Sequence, residues 1–264
     1  MPAFATPGPI LASVHLPSGE LRIEADDRDD TVVEVLPVDE GSDADFAAAA
    51  QARVDYTGTT LSVGSPRSRA QRLFGRGGSI SVTVRLPAGS RVEVRAGMAD
   101  LRCHGRLGAV RAEVSSGDIT TDAVGGPTEL TTGNGDIRIG AATGSAVAKS
   151  SSGGIAVGAA DADLRLRTSY GDISVDRVLG GVDARTAYGR ITVGEVVRGW
   201  VDLETKGGKV EIGVRAGTAA WLDAVSRYGK VTSGLQGADG PGEAEETAEI
   251  HARTSYGDIH VHRA

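Results

Sequence analysis

The chain has 264 residues, a net charge of −7 and an apolar content carried by aliphatics, with aromatics at only 4%. An acidic chain offers nothing to a phosphate backbone, so no nucleic acid partner is expected, and no 18-residue apolar stretch occurs, so no membrane span is expected. One cysteine, Cys103, excludes an internal disulfide, and the opening residues lack the basic start and apolar run of a signal peptide, which leads to a cytoplasmic expectation.

Residues 10–64 read as short strands broken by turns. Ile10 to Leu16, Leu21 to Ala25 and Thr31 to Leu36 alternate apolar and polar residues, with Pro17-Ser18-Gly19 and the acidic Asp26 to Asp30 as the turns between them. Ser42 to Arg53 is the helical candidate, capped by Ser42 or Asp43 and filled by Ala47 to Ala50. Strands resume at Val54 to Tyr56 and Thr60 to Val63. Residues 65–79 carry Arg67, Arg69, Arg72 and Arg76 without an acid, and read either as a solvated connector, the simpler choice, or as a basic docking loop for an anionic surface or partner. Ile80 to Leu86 and Arg91 to Arg95, joined by Pro87-Ala88-Gly89, are expected to form a hairpin-like pair.

From residue 99 the chain repeats. Ser169-Tyr-Gly-Asp-Ile-Ser-Val175 is rewritten along it, and its glycine position falls at Ala99, Gly117, Gly135, Gly153, Gly171 and Gly189, five intervals of 18 residues, then at Gly208, Gly229 and Gly257. A fixed period of this length marks a solenoid. Two residues after the glycine stand Leu101, Ile119, Ile137, Ile155, Ile173, Ile191, Val210, Val231 and Ile259, and two further on a second, mostly aliphatic column. Side chains two apart on a strand share a face, so these columns are the inside of the coil. A second strand in each turn supplies pairs such as Leu164/Leu166 and Val182/Ala184, followed by a hydroxyl column at Thr132, Ser150, Thr168, Thr186, Thr205, Ser226 and Thr254 that can bond turn backbone groups. The segment 234–249 is an acidic, glycine-rich insert, after which Ile250 to Val261 closes the chain as a final rung whose open edge could stack on another chain.

The recurring Ser/Thr-x-Tyr-Gly-Asp-Ile-x-Val units, alternating with Val-x-Gly-x-Val-x-Ala-x-Thr, resemble the bacterial "putative adhesin" family, a domain of unknown function, over about residues 90 to 262 and in the opening Pro17-Ser18-Gly19-Glu20-Leu21. The resemblance implies a β-solenoid and an adhesive role and supplies no catalytic residues.

Candidate sites are few. Asp100, Asp118, Asp136 and Asp172 stack at successive glycine turns; a bound Ca²⁺ would relieve their repulsion, but their turn role explains them without metal. Trp200 and Trp221 are expected to point outward on adjacent turns, as a platform for a sugar ring or a partner's apolar patch, the simpler alternative being that they cover the widened turns after Gly189. Tyr170, Tyr188, Tyr228 and Tyr256, just before the glycines, read as corner packing. Cys103 beside His104 invites a nucleophile reading that alternation argues against, since Cys103 faces inward. His251, His260 and His262 cluster near the end of the chain without an evident metal-ligand framework.

The expected fold is therefore all-β, a single-stranded parallel β-solenoid of about 18 residues per turn over residues 78–264, right-handed by the general bias of parallel crossovers, preceded by a β-rich cap region of residues 1–77. The expected function is that of a non-enzymatic scaffold or interaction protein without catalytic, cofactor-binding or metal residues. Alternatives are a carbohydrate-binding or adhesive module at the envelope using Trp200 and Trp221, and an element that self-assembles through its last rung.

Overall fold

The computed structural model describes residues 1–64, 78–237 and 246–264. The fold is the all-β parallel solenoid that the 18-residue period requires, and the chain gathers into two compact units, Met1–Gly135 and Asp136–Ala264.

In the first unit the long strand Leu11–Asp26 runs parallel to Arg91–Leu107, Leu11 opposite Arg91 and Ala25 opposite Gly105. Pro17-Ser18-Gly19 does not reverse the chain. It is a bend within one strand, with Gly19 at φ +134° standing opposite Ala99, so the bend is an early copy of the glycine corner of the repeats. On its other edge Leu11–Asp26 meets Thr60–Gly64 and then Ile80–Pro87. Ile80–Pro87 and Arg91–Leu107 are consequently not a hairpin: the N-terminal strand lies between them. Residues 11–26 of the expected cap thus share a ladder with the first repeat strand. Asp30–Pro37 pairs antiparallel with Ile80–Pro87 and with Ala3–Ala5, and Arg53–Thr57 forms an antiparallel hairpin with Thr60–Gly64. The helix is Asp43–Ala50, and Ser42, not Asp43, is its cap, accepting from the Asp45 N–H. Asp45 in turn accepts from the backbone N–H groups of Ser79 and Asp39, which hold its carboxyl below the usual range against the opposing effect of burial.

The regular rungs follow the period. Val110–Ser116 continues the ladder from Arg91–Leu107 and pairs with Thr128–Asn134, while Leu101 faces Ile119 on the next strand. The corner demands glycine for a specific reason: at Gly117, φ is +139° and an added Cβ would lie 2.0 Å from the carbonyl oxygen of Ala99 one rung earlier.

In the second unit, Ile137–Ala142, Ile155–Ala160, Ile173–Val178, Ile191–Val196 and Val210–Val214 form one parallel sheet, and Ala146–Ser152, Leu164–Tyr170, Val182–Tyr188 and Gly199–Gly207 the other. Inward pairs such as Ile155/Val157 and Ile191/Val193 are no more than 1% exposed, and each such side chain contributes about 1.5–3 kcal/mol relative to exposure. The hydroxyl column closes the corners: Thr168, Thr186, Thr205 and Thr254 donate to the carbonyl oxygens of Gly153, Gly171, Gly189 and Gly208 at 2.9–3.1 Å.

The last rung in sequence is not the last in space. Glu246–Tyr256 sits between Gly199–Gly207 and Thr218–Ser226, and Ile259–Arg263 between Val210–Val214 and Val231–Ser233. The open rung expected at residues 250–261 is instead residues 218–233. The inward residues explain the exchange. Ile250, Ala252, Ile259 and Val261 are 0% exposed, whereas the displaced rung offers only Leu222, Ala224, Val231 and Ser233, with Val231 43% exposed. Burying the more apolar rung and leaving the poorer one at the edge is the cheaper arrangement.

Candidate functional site

The outward side of the second unit's strand stack carries the chemistry. On a strand with inward Val201 and Leu203, the residues Trp200, Asp202, Glu204 and Lys206 face out. Register then builds columns across rungs. Trp200 stands opposite Glu249, and Glu249 opposite Trp221. The two tryptophans are therefore two rungs apart with a carboxylate between them, not neighbours, because the C-terminal rung has moved in between. Both are exposed, at 42% and 59%. The Trp200 indole lies over Gly181, where an added Cβ would meet its ring at 2.1 Å, and Trp221 meets the His251 imidazole edge-on at 5.2 Å.

His251 is the most tightly engaged histidine. Its Nε2 lies 3.0 Å from Glu249 Oε1 and its Nδ1 3.5 Å from Asp223. The Glu249 bond first, and Asp223 with it, raises its pKa above the ordinary histidine value despite desolvation. His260 and His262 stack on one another on the other sheet, with Thr232 and Glu211 as their partners, so the three histidines do not converge. Among the described residues no group of three or more His, Cys, Asp or Glu side chains is placed to hold a metal ion.

Next to this face lies a charged network. Asp183 is buried, and although burial pushes its carboxyl up, the Arg167 bond and the charges of Arg167, Arg185 and Arg165 hold it below the usual range. Arg185 also reaches Asp202 at 2.9 Å.

At the far end of the same strands stands the tyrosine column. Tyr170 stacks on Tyr188 with centroids 5.5 Å apart, and Tyr256 on Tyr228 at 4.9 Å. These rings are 58–65% exposed, so they form an exposed stripe and not the corner packing expected of them. Burial breaks the in–out alternation at the residues immediately before each glycine, whereas by spacing Tyr170 falls in phase with inward Leu166 and Thr168, so sequence alternation carries no sign of the exposure.

The remaining candidates resolve simply. Cys103 is 1% exposed and burial pushes its thiol up to about 12, with Asp122 adding to the rise; His104 faces Asp122 at 3.4 Å. Asp100, Asp136 and Asp172 each accept a backbone N–H from the following rung. Arg67, Arg69, Arg72 and Arg76 lie outside the described residues. No helix among the described residues is long and apolar enough to cross a membrane.

Comparison with known proteins gives a family and no activity. No curated protein matches the chain. Solved structures similar to it include a putative adhesin from Bacteroides fragilis (12% identity, 98% of this chain and 95% of that one, TM-score 0.44) and one from Parabacteroides distasonis (12%, 98% and 95%, TM-score 0.45). A putative cell adhesion protein from Clostridium sporogenes is similar at 9% identity over 100% and 98% of the two chains, with a TM-score of 0.23. The family described as Toastrack DUF4097 matches residues 13–262, nearly the whole repeat architecture built above, and the chain belongs to that family.

Proposed function

We propose that the chain is a non-enzymatic, adhesin-like interaction module whose working surface is the aromatic outward side of residues 164–256. The observation that carries this reading is the placement of six exposed rings: Tyr170, Tyr188, Trp200, Trp221 and Tyr256 on strands whose backbones are fixed rung to rung, and Tyr228 in the bend after Thr218–Ser226, tied by its N–H to Ser255 O. Exposed aromatics cost solubility and gain nothing for the core, and rings held on a pre-formed surface lose little entropy when they meet a ligand. The Trp200–Glu249–Trp221 column, two flat rings flanking a carboxylate, suits a carbohydrate. A glycan array probed with the intact protein tests this, and Trp221→Ala is expected to abolish a neutral-glycan hit; binding that survives the change removes Trp221 from the site. The cytoplasmic placement belongs to a scaffold form of this proposal and an envelope placement to its glycan form, and fractionation of the source cells separates them.

A second reading, self-assembly, is favoured by one observation: among the described residues the outer edge of Thr218–Ser226 pairs with no strand.

A further inference from the structure

The tyrosine stripe has a break. In register across the rungs stand Tyr170, Tyr188, Gly207 and Tyr256, with Tyr228 stacked beyond. Gly207 is the one rung of the five without a ring. Tyr188 and Tyr256 are thus two rungs apart, roughly 9.6 Å between backbones, and a flat ring midway would lie about 4.8 Å from each, inside the range of stacked pairs. The Tyr188 ring leans toward this opening, since a Cβ at Gly207 would stand 3.1 Å from its Cδ1.

The break is also basic, in a chain whose net charge is −7. Lys206 and Lys209 flank Gly207, Arg190 follows the Tyr188 corner and Lys230 the Tyr228 corner. Lys209 is engaged by Glu211 at 3.1 Å, but among the described residues the side chains of Arg190, Lys206 and Lys230 have no ion-pair partner. Arg227 lies 5.9 Å from the Tyr228 ring centroid and adds a further cation to the stripe. In rung order the column runs Asp172, Arg190, Lys209, Asp258 and Lys230, so only Asp258 stands between its cations. The net charge of −7 disfavours a nucleic acid, and the cations on successive rungs at Arg190 and Lys209, about 4.8 Å apart, match a polymer carrying about one carboxylate per ring.

We infer that this stripe, broken at Gly207, is a binding site for an acidic polysaccharide. One sugar ring enters between Tyr188 and Tyr256, sugars further along the chain pass Tyr170 and Tyr228, and their carboxylates meet Lys206, Arg190 and Lys230. The inference rests on the reading of the chain as a binding module and names a ligand class and a site for it distinct from the tryptophan column.

Titration calorimetry on the intact protein tests it, with a galacturonic acid oligomer as probe, and a neutral glucose oligomer and an oligothymidylate of similar length beside it. The acidic oligomer is expected to bind and to weaken with salt. Tyr188→Ala and Tyr256→Ala are expected to weaken it about tenfold or more, as loss of a stacking ring does. Lys206→Glu should weaken it and flatten the salt dependence, and Gly207→Tyr, which fills the break, should weaken it while leaving the thermal melt unchanged. Equal binding by all four variants, tighter binding of the oligothymidylate, or no binding of the acidic oligomer would overturn the proposal. A neutral-glycan hit lost in Trp221→Ala, together with no binding of the acidic oligomer, would overturn the stripe and leave the binding module standing, whereas an array without any hit and no binding of the acidic oligomer would remove both.

Discussion

The Oδ1 of Asp172 accepts a 2.7 Å hydrogen bond from the backbone N–H of Arg190, the residue at the same place one rung later. The relationship recurs from Asp100 to Asp118, Asp136 to Gly154 and Asp258 to Lys230 at 2.8–3.0 Å. The aspartate after the corner glycine therefore serves the next corner, by satisfying an N–H that the turn leaves without a strand partner. Replacing Asp172 with Ala should cost about 1 kcal/mol and lower the melting temperature by roughly 2–4 °C for a chain of this size. Asp172→Asn, which keeps an acceptor oxygen, should recover most of the loss in a circular-dichroism melt. Equal losses in the two variants would mean that the charge, and not the acceptor, is what the corner needs.

The same corner shows what was legible in the sequence. The 18-residue period, the inward Ile/Val columns and the hydroxyl column were readable because each depends on side-chain alternation alone, and Thr186 donating to Gly171 O is the contact that a hydroxyl at the edge of the core has to make. The strand order at the ends was not readable. Nothing local to Leu11–Asp26 says that it lies between Arg91–Leu107 and Ile80–Pro87, and nothing local to Glu246–Tyr256 says that it enters one place in from the edge; the latter depends on comparing the burial of whole rungs, Ile250 and Ile259 against Leu222 and Val231. Because of it, Trp200 and Trp221 were expected side by side and stand with Glu249 between them. The tyrosines were visible as a column, but their exposure was hidden because corner residues obey no simple alternation.

Cys103 gives a chemical test of the inward column. With its thiol pushed up to about 12 by burial, it carries almost no thiolate at neutral pH. A disulfide-exchange reagent at pH 8 should leave the native protein unlabelled over an hour and label one thiol per chain in denaturant. Rapid native labelling would place Cys103 at the surface and reopen a reactive pairing with His104.

His251 couples the edge rung to pH. The groups facing it are Glu249 and Arg253 on its own strand, Asp223 and Trp221 on the edge strand, and Asp202 on the inner one. Its folded pKa lies above the unfolded value, so the stabilisation it provides is full below about pH 6.5 and is lost as pH rises through the folded pKa. An NMR titration should show a His251 midpoint above that of a model histidine. Hydrogen-exchange protection across Thr218–Ser226, taken relative to the base-catalysed intrinsic rate, should fall between pH 6 and pH 8, and His251→Gln should remove that fall. Protection at these amides that is independent of the state of His251 would detach the histidine from the edge.

The edge strand itself offers the last test. Thr218–Ser226 is nine residues long, its inward Leu222 and Ala224 are only half-buried, and its neighbours Trp221 and Val225 are exposed. If two copies pair this edge antiparallel about Leu222, Trp221 falls opposite Asp223 and Ala220 opposite Ala224, so no like charges meet across the junction. Light scattering over a concentration series should then show a dimer that dissociates on dilution. Leu222→Lys, which places a charge at an inward edge position, should yield a monomer at every concentration with the melt nearly unchanged. A wild-type protein that is monomeric throughout the series would retire self-assembly and leave the aromatic outward face as the working surface of the chain.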